Sequence, residues 1–98
     1  MNFNVKTDNE KMVIELEGRL DTTTSPKLDE FLHTYLDGVN ELVFDMSRLE
    51  YISSAGLRVL LYAHKTVSKY GKMIITGCSE EVIEIFDITG FSDIMDIR

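Results

Sequence analysis

The chain has 98 residues, 44% of them hydrophobic and 28% charged, so it is long enough for one core and one domain, residues 1–98. Ten Lys and Arg against 17 Asp and Glu give a net charge of −7. Such an acidic surface repels nucleic-acid phosphates and anionic lipids, which disfavours both as partners. The sequence has no signal-peptide core, no bilayer-length apolar run, and a single cysteine, Cys78. We therefore expect a small cytoplasmic protein without disulfides.

Two alternating segments open the chain. In residues 2–8 and again in 12–20, apolar and polar side chains alternate as they do in half-buried strands. The turn-forming segment Asp8-Asn9-Glu10-Lys11 separates them. This pattern predicts a β-hairpin with one face in water.

Three helices follow, each with apolar residues at helical spacing and with residues typical of helix ends. The first has a Ser-Pro pair at its start, which predicts a serine N-cap followed by proline at the first helical position. The predicted helices begin at or directly after Ser25, about Ser54, and Ser79, and end at Gly38, Gly71 and Gly90.

Short apolar runs between the helices predict buried strands at 42–44 and 73–75. The first run lacks alternation, which is typical of a central strand covered on both faces. The tail, 93–98, is predicted as a last helical turn or an edge strand. The order ββαβαβα predicts a single-domain α/β sandwich, with a mixed, partly parallel sheet flanked by helices.

The start of the second helix carries two adjacent hydroxyl groups, Ser53 and Ser54. One interpretation is a helix N-cap, a common role for serine. An N-cap needs only one hydroxyl, however, and a helix N-terminus at the carboxyl edge of a parallel sheet is also where ligands and partners bind. Gly56 lowers helix propensity in the first turn, and its lack of a side chain predicts a close approach by another group.

Catalytic and cofactor motifs are absent from the sequence. A serine-hydrolase elbow needs glycine two residues before the nucleophile, where Ile52 precedes Ser54. His33 and His64 lie on predicted helices, and no spacing of His and Cys suits a metal. Neither GxGxxG nor GxxxxGK[ST] occurs, so the usual nucleotide cradles are missing, and the sequence does not predict whether a nucleotide is bound directly. We expect a binding protein without catalytic residues, metal or cofactor.

Three blocks in order make the whole chain resemble a STAS domain of the anti-sigma factor antagonist family. These blocks are 18–26 (GRLDTTTSP), 45–57 (DMSRLEYISSAGL) and 86–91 (FDITGF). The second is similar to the signature of that family. The residue before the family's acceptor serine is commonly aspartate, where this chain has Ser53, and the residue after it is Ala55 rather than a hydroxyl.

The resemblance implies a regulatory protein that binds an anti-sigma factor serine kinase and so releases a sigma factor. It implies phosphorylation of Ser54 by that kinase, which ends binding, and dephosphorylation by a serine phosphatase. The loop aspartate maps to Asp21. The implied partner-binding residues are Asp21, Thr23, Ser53, Ser54, Ala55, Gly56, Leu57 and Arg58.

Two alternatives remain open at the level of sequence. The alternative function is that of a STAS regulatory subunit that binds a membrane transporter component without being phosphorylated. In addition, Ser53 is a second possible phosphate acceptor beside Ser54. The identity of the sigma factor, the kinase and the signal, and the oligomeric state, are not predicted.

Overall fold

The computed structural model describes residues 1–98 and contains one five-stranded sheet with the order β1-β2-β3-β4-β5. The strands are β1 (Asn2–Asp8), β2 (Lys11–Leu20), β3 (Glu41–Ile52), β4 (Lys72–Thr76) and β5 (Asp96–Ile97). The helices are α1 (Ser25–Tyr35), α2 (Ser54–Val67) and α3 (Glu80–Thr89), followed by a 3-10 turn, Phe91–Asp93. The predicted element order and the edge-strand form of the tail are confirmed.

β1 and β2 form the predicted antiparallel hairpin, and every later neighbour in the sheet is parallel. Because each parallel strand lies directly beside the previous one, right-handed crossovers place all three helices on the same face. One continuous core joins the buried side chains of the helices to those of the sheet. Its centre includes Phe44, Leu60 and Phe86, each without measurable exposure.

The prediction that residues 42–44 are covered on both faces is wrong for this sheet. Leu42 and Phe44 are fully buried under the helices, but Val43 points to the opposite face and is only half-buried. β3 is central, as predicted, yet no helix covers its second side. Each parallel strand is added on the same side of the previous one, so the crossovers place all their helices on one face of the sheet. The other face of β3 therefore stays uncovered.

β3 is also much longer than predicted. The polar stretch from Asp45 to Ile52 is a strand, not a loop. Register shifts against β2 mark two bulges, where β3 has one more residue than its neighbour. After Met46, the buried positions recur every third residue, at Leu49 and Ile52, so the alternation that identifies a strand is lost.

The α1 boundary differs from the prediction by one residue at its start. Thr24 rather than Ser25 occupies the N-cap, and Ser25 is a buried residue of the first turn, next to Pro26. At the other end, Leu36 is the C-cap and Gly38 follows two residues later with a φ of +84°. Hydrogen bonds between the loop that begins at Asp21 and the first turn of α1 explain this shifted start.

The predicted cap of α3 is confirmed, because the Ser79 hydroxyl accepts a hydrogen bond from the Val82 N–H at 3.2 Å. We expect Ser79→Ala to lower the free energy of unfolding by about 1 kcal/mol and the melting temperature by about 4–8 °C. Thermal unfolding followed by circular dichroism measures this effect. Ser68→Ala is the matched control, because Ser68 is an exposed C-cap residue of α2 and so lies far from the free N–H groups of a helix N-terminus. Equal melting temperatures for the two variants would show that the cap contributes nothing.

None of the three helices combines the length and apolar character required to cross a membrane.

Candidate functional site

The end of β2 and the start of α2 are joined by direct backbone contact. The Ser53 N–H donates to the Leu20 carbonyl at 2.9 Å. Gly56 lies against the same residue: a Cβ atom at Gly56 would be 2.8 Å from Leu20 Cγ and 2.9 Å from Leu20 O. The predicted close approach at Gly56 is confirmed. It brings the residue after Leu20, Asp21, beside the first turn of α2.

Asp21 organises the loop that connects β2 to α1. One carboxylate oxygen of Asp21 accepts hydrogen bonds from the Thr23 N–H at 3.0 Å and the Thr24 N–H at 3.1 Å. The Thr24 hydroxyl accepts from the Asp21 N–H at 2.9 Å and donates to the Arg19 carbonyl at 2.7 Å. The Ser25 N–H donates to the Asp21 carbonyl at 2.8 Å and the Lys27 N–H to the Thr24 carbonyl at 3.3 Å, so the first turn of α1 needs no cap from the Ser25 side chain.

These hydrogen bonds lower the pKa of Asp21. The largest cause is the Thr24 N–H, with smaller contributions from Thr23, the Thr24 hydroxyl and the guanidinium of Arg19, whose Nε lies 3.9 Å from the carboxylate. Each favours the ionised carboxylate. Asp21 is therefore a structural anion of the loop, and its hydrogen bonds occupy the oxygen that faces the loop.

We expect the contribution of Asp21 to stability to depend on pH. A carboxyl whose pKa is lowered by folding stabilises the fold above its unfolded pKa, near 4, and loses that contribution as the pH falls through the lower folded value. Wild type should thus melt above Asp21→Asn at pH 7, and the difference should shrink toward pH 2–3. Thermal unfolding across that range is the measurement. Asp37→Asn, which removes an exposed carboxylate after α1, is the control. A constant difference at all pH values would contradict the assigned cause.

The two serines at the start of α2 have different environments. Ser53 occupies the N-cap position with extended backbone, but its side chain makes no capping bond, and its hydroxyl is buried without a partner. Ser54 is the first residue of the helix and is exposed. The N-cap interpretation therefore fits the position of Ser53 and leaves the Ser54 hydroxyl free for another role.

The remaining predicted contact residues divide into a surface group and a buried group. Thr23 and Arg58 are exposed and Ala55 is half-buried. Ala55 and Arg58 line a groove of about 270 Å³ together with Thr22 of the Asp21 loop. In contrast, Gly56 is buried and Leu57 is only 6% exposed within the core. These two residues support the surface from below, and their contact with a partner stays a prediction.

Sequence reasoning missed a neighbouring pair, Arg19 and Tyr51. The Arg19 guanidinium lies over the Tyr51 ring, 4.4 Å from its centroid, and extends the exposed surface beside Asp21. The two residues are partners in the β2–β3 register. Both lie inside the blocks that carry the family resemblance, but their pairing follows two bulges and is not readable from sequence spacing.

No histidine is placed to activate Ser54. His64 lies ten residues further along α2, about 15 Å away along the helix axis. His33, at the end of α1, stacks on Tyr62 with ring centroids 3.9 Å apart. A serine nucleophile requires a base within hydrogen-bond reach. The geometry therefore gives no support to a hydrolase.

The thiol of Cys78 is half-buried, and this burial raises its pKa to about 11, which disfavours the reactive thiolate. No group of three or more His, Cys, Asp or Glu side chains is arranged to hold a metal ion. The exposed start of α2 and the adjoining Asp21 loop are therefore the candidate binding surface of this α/β domain.

This chain belongs to the STAS domain family, whose profile matches residues 2–98. It is 32% identical over 94 residues to a Listeria monocytogenes protein named anti-sigma-B factor antagonist, covering 93% of this chain and 82% of the relative. The fold is similar to that of the Thermotoga maritima protein TM1081, with a TM-score of 0.89, 19% identity, and 97% and 84% of the two chains covered.

The phosphorylated form of the Bacillus cell fate determinant SpoIIAA is a second structural neighbour. Its TM-score is 0.77 at 21% identity, and the superposition covers 99% of this chain and 91% of SpoIIAA. At this identity the likeness establishes the fold. Together with the family match, it confirms the predicted α/β architecture with a mixed sheet.

Proposed function

We propose that this protein is an anti-sigma factor antagonist that is switched by phosphorylation of Ser54. In its unmodified form it binds an anti-sigma factor, a serine kinase, through the start of α2 and the Asp21 loop, and a sigma factor is released. The kinase transfers a phosphoryl group to the Ser54 hydroxyl, the complex separates, and a serine phosphatase restores the unmodified form. This cycle takes place in the cytoplasm.

One observation carries the proposal: Ser54 is exposed at the first position of α2 while Ser53 occupies the N-cap. A kinase needs a hydroxyl that it can reach, and the Ser53 hydroxyl is buried. The name of the Listeria relative and the phosphorylated form of SpoIIAA support the same function. These two relatives also support a protein that acts by binding and has no catalytic activity of its own.

The site accounts for a switch that acts on binding rather than on folding. A phosphate adds about −1.5 to −2 charges, and a helix N-terminus stabilises such a charge by about 0.3–1 kcal/mol. At an interface fitted to a bare hydroxyl, an unpaired dianion costs several kcal/mol. Since each 1.4 kcal/mol changes affinity about tenfold, the penalty at the interface exceeds the gain within the domain.

Phosphotransfer with two matched serine variants tests the proposal. The protein is incubated with the serine-kinase anti-sigma factor of its own cell and labelled ATP. We expect Ser53→Ala to accept phosphate, and Ser54→Ala to accept none while still binding the kinase, because only one oxygen is removed. Labelling of Ser54→Ala at the wild-type rate would overturn the assignment of Ser54. Absence of binding by wild type would overturn the proposed partner.

A further inference from the structure

The face of the sheet opposite the helices, here called the open face, carries three cross-strand rows on β2, β3 and β4. Residues that are register partners lie side by side on the same face. The first row is Lys11, Glu41 and Lys72, the second Val13, Val43 and Ile74, and the third Glu15, Asp45 and Thr76. None of these nine residues belongs to the hydrophobic core cluster.

The middle row is an apolar stripe between two charged rows. Ile74 is only 6% exposed although it lies outside the core, and Val13 and Val43 are half-buried. An apolar row on the uncovered side of a sheet is typical of a surface that packs against another surface.

The two charged rows differ in sign. In the first, Lys11 and Lys72 share one carboxylate, Glu41, at 3.2 and 3.5 Å. In the third row two carboxylates, Glu15 and Asp45, line a basin of about 790 Å³. The same basin is also lined by Glu17, which pairs with Arg48 at 3.1 Å.

The open face is nearly neutral in a strongly acidic chain. The three rows and their neighbours on β1 and β5 hold four basic side chains and five acidic ones, so they carry only one of the seven excess negative charges. These side chains are Lys6, Lys11, Lys72 and Arg98, and Asp8, Glu15, Glu41, Asp45 and Asp96. Two copies that meet through these rows therefore bring little net charge together.

We propose that the open face is a self-association surface that forms a two-fold symmetric dimer. A rotation of 180° about an axis that crosses the strands at the middle row places apolar row on apolar row. It also brings Lys11 of each copy over Glu15 of the other, while Glu41, which then faces Asp45, is paired with Lys11 and Lys72 within its own chain. Two-fold contacts of this kind require a self-complementary surface, and a second copy supplies that pattern by symmetry.

The contact is small, so the dimer is weak. Three strands over five residues measure about 14 by 17 Å, far below the roughly 800 Å² per partner of a stable complex. We expect a dissociation constant on the order of 100 µM. This inference does not depend on the proposed function, and α2 and the Asp21 loop are not part of the contact.

Sedimentation velocity from about 10 µM to 1 mM tests the dimer, since this range brackets the expected constant. We expect wild type to associate reversibly. Lys11→Glu places like charges at the contact and should weaken association at least about tenfold. The double variant Lys11→Glu/Glu15→Lys restores opposite charges across the interface and should return the constant to within about threefold of wild type.

The double variant separates this dimer from an effect within one chain. Within the chain, Lys11 pairs with Glu41 and Lys6 with Glu15, so the double variant breaks two internal ion pairs and the single variant breaks one. If these internal pairs alone controlled association, the double variant should associate more weakly than Lys11→Glu. Lys65→Glu, with the same charge change on the exposed side of α2, is the control and should associate like wild type. Circular dichroism verifies that each variant folds. A wild type that stays monomeric throughout, a Lys11→Glu variant that associates normally, or a double variant no better than the single one would each overturn the proposal.

Discussion

Ser54→Asp is expected to lower the affinity for the anti-sigma factor at least about tenfold while leaving the melting temperature nearly unchanged. Ser54 is exposed at the first position of α2, where the helix dipole favours a carboxylate. The new charge therefore costs little within the folded domain. It becomes costly when the partner covers this position and removes water from it. Calorimetric titration against the purified anti-sigma factor, with thermal unfolding in parallel, measures both effects.

Ser68→Asp is the control for Ser54→Asp. It adds the same charge at the other end of α2, about 20 Å away, where the dipole disfavours a carboxylate. We expect this control to lose slightly more stability than Ser54→Asp and to keep full affinity. Equal affinity losses would show that total charge rather than position controls binding. An unfolded Ser54→Asp variant would show that the switch acts on the fold.

Gly56→Ala is expected to destabilise the protein by about 1–3 kcal/mol, despite the better helix propensity of alanine. The added methyl group would lie 2.8 Å from Leu20 Cγ and Ile52 Cγ1 and 2.9 Å from Leu20 O. The Leu20 carbonyl cannot withdraw freely, because it accepts the Ser53 N–H. The start of α2 must therefore move away from the Asp21 loop.

The displaced helix start should also weaken partner binding, since Ser54 moves relative to Asp21. Thermal unfolding and the same titration report the two effects. Ser54→Ala, two residues earlier, adds no atom to this contact and should melt close to wild type. Propensity alone predicts that Gly56→Ala gains about 1 kcal/mol. A rise in melting temperature would therefore contradict the close packing of α2 on β2.

The end of β3 shows why local patterns gave the architecture but not every boundary. The alternation in 12–20 predicted β2 because its buried face repeats every second residue. Two bulges change that spacing in β3 after Met46, and a strand with buried residues at every third position resembles a loop. The bulges depend on pairing with β2, which a local pattern does not contain.

The uncovered side of β3 has a related cause. Leu42-Val43-Phe44 is apolar throughout, and composition alone does not distinguish a strand covered on both faces from one with an apolar open face. The strand order decides this question, and it is set by how the crossovers pack.

The site was predictable in position but only partly in detail. The hydroxyl pair and Gly56 marked the start of α2, and the structure brings the Asp21 loop to it. The Ser53 hydroxyl is buried and the Ser54 side chain is exposed, and this difference depends on which of the two residues begins the helix. Sequence patterns do not place a helix boundary to a single residue. The burial of Leu57 beside the exposed Arg58 has a similar cause: adjacent helical residues differ by about 100° in direction, so one faces the core and its neighbour does not.

The most direct test of the central claim, that the exposed Ser54 hydroxyl is the switch, is mass spectrometry of the protein isolated from its own cells. Trypsin cleaves after Arg48 and Arg58, so Ser53 and Ser54 are the only serines of the peptide 49–58. We predict a single phosphate on this peptide, with fragment ions that assign it to Ser54. Phosphate on Ser53, or unmodified peptide under every growth and stress condition, would contradict the account. The unmodified result would favour a STAS subunit that binds a transporter component without phosphorylation.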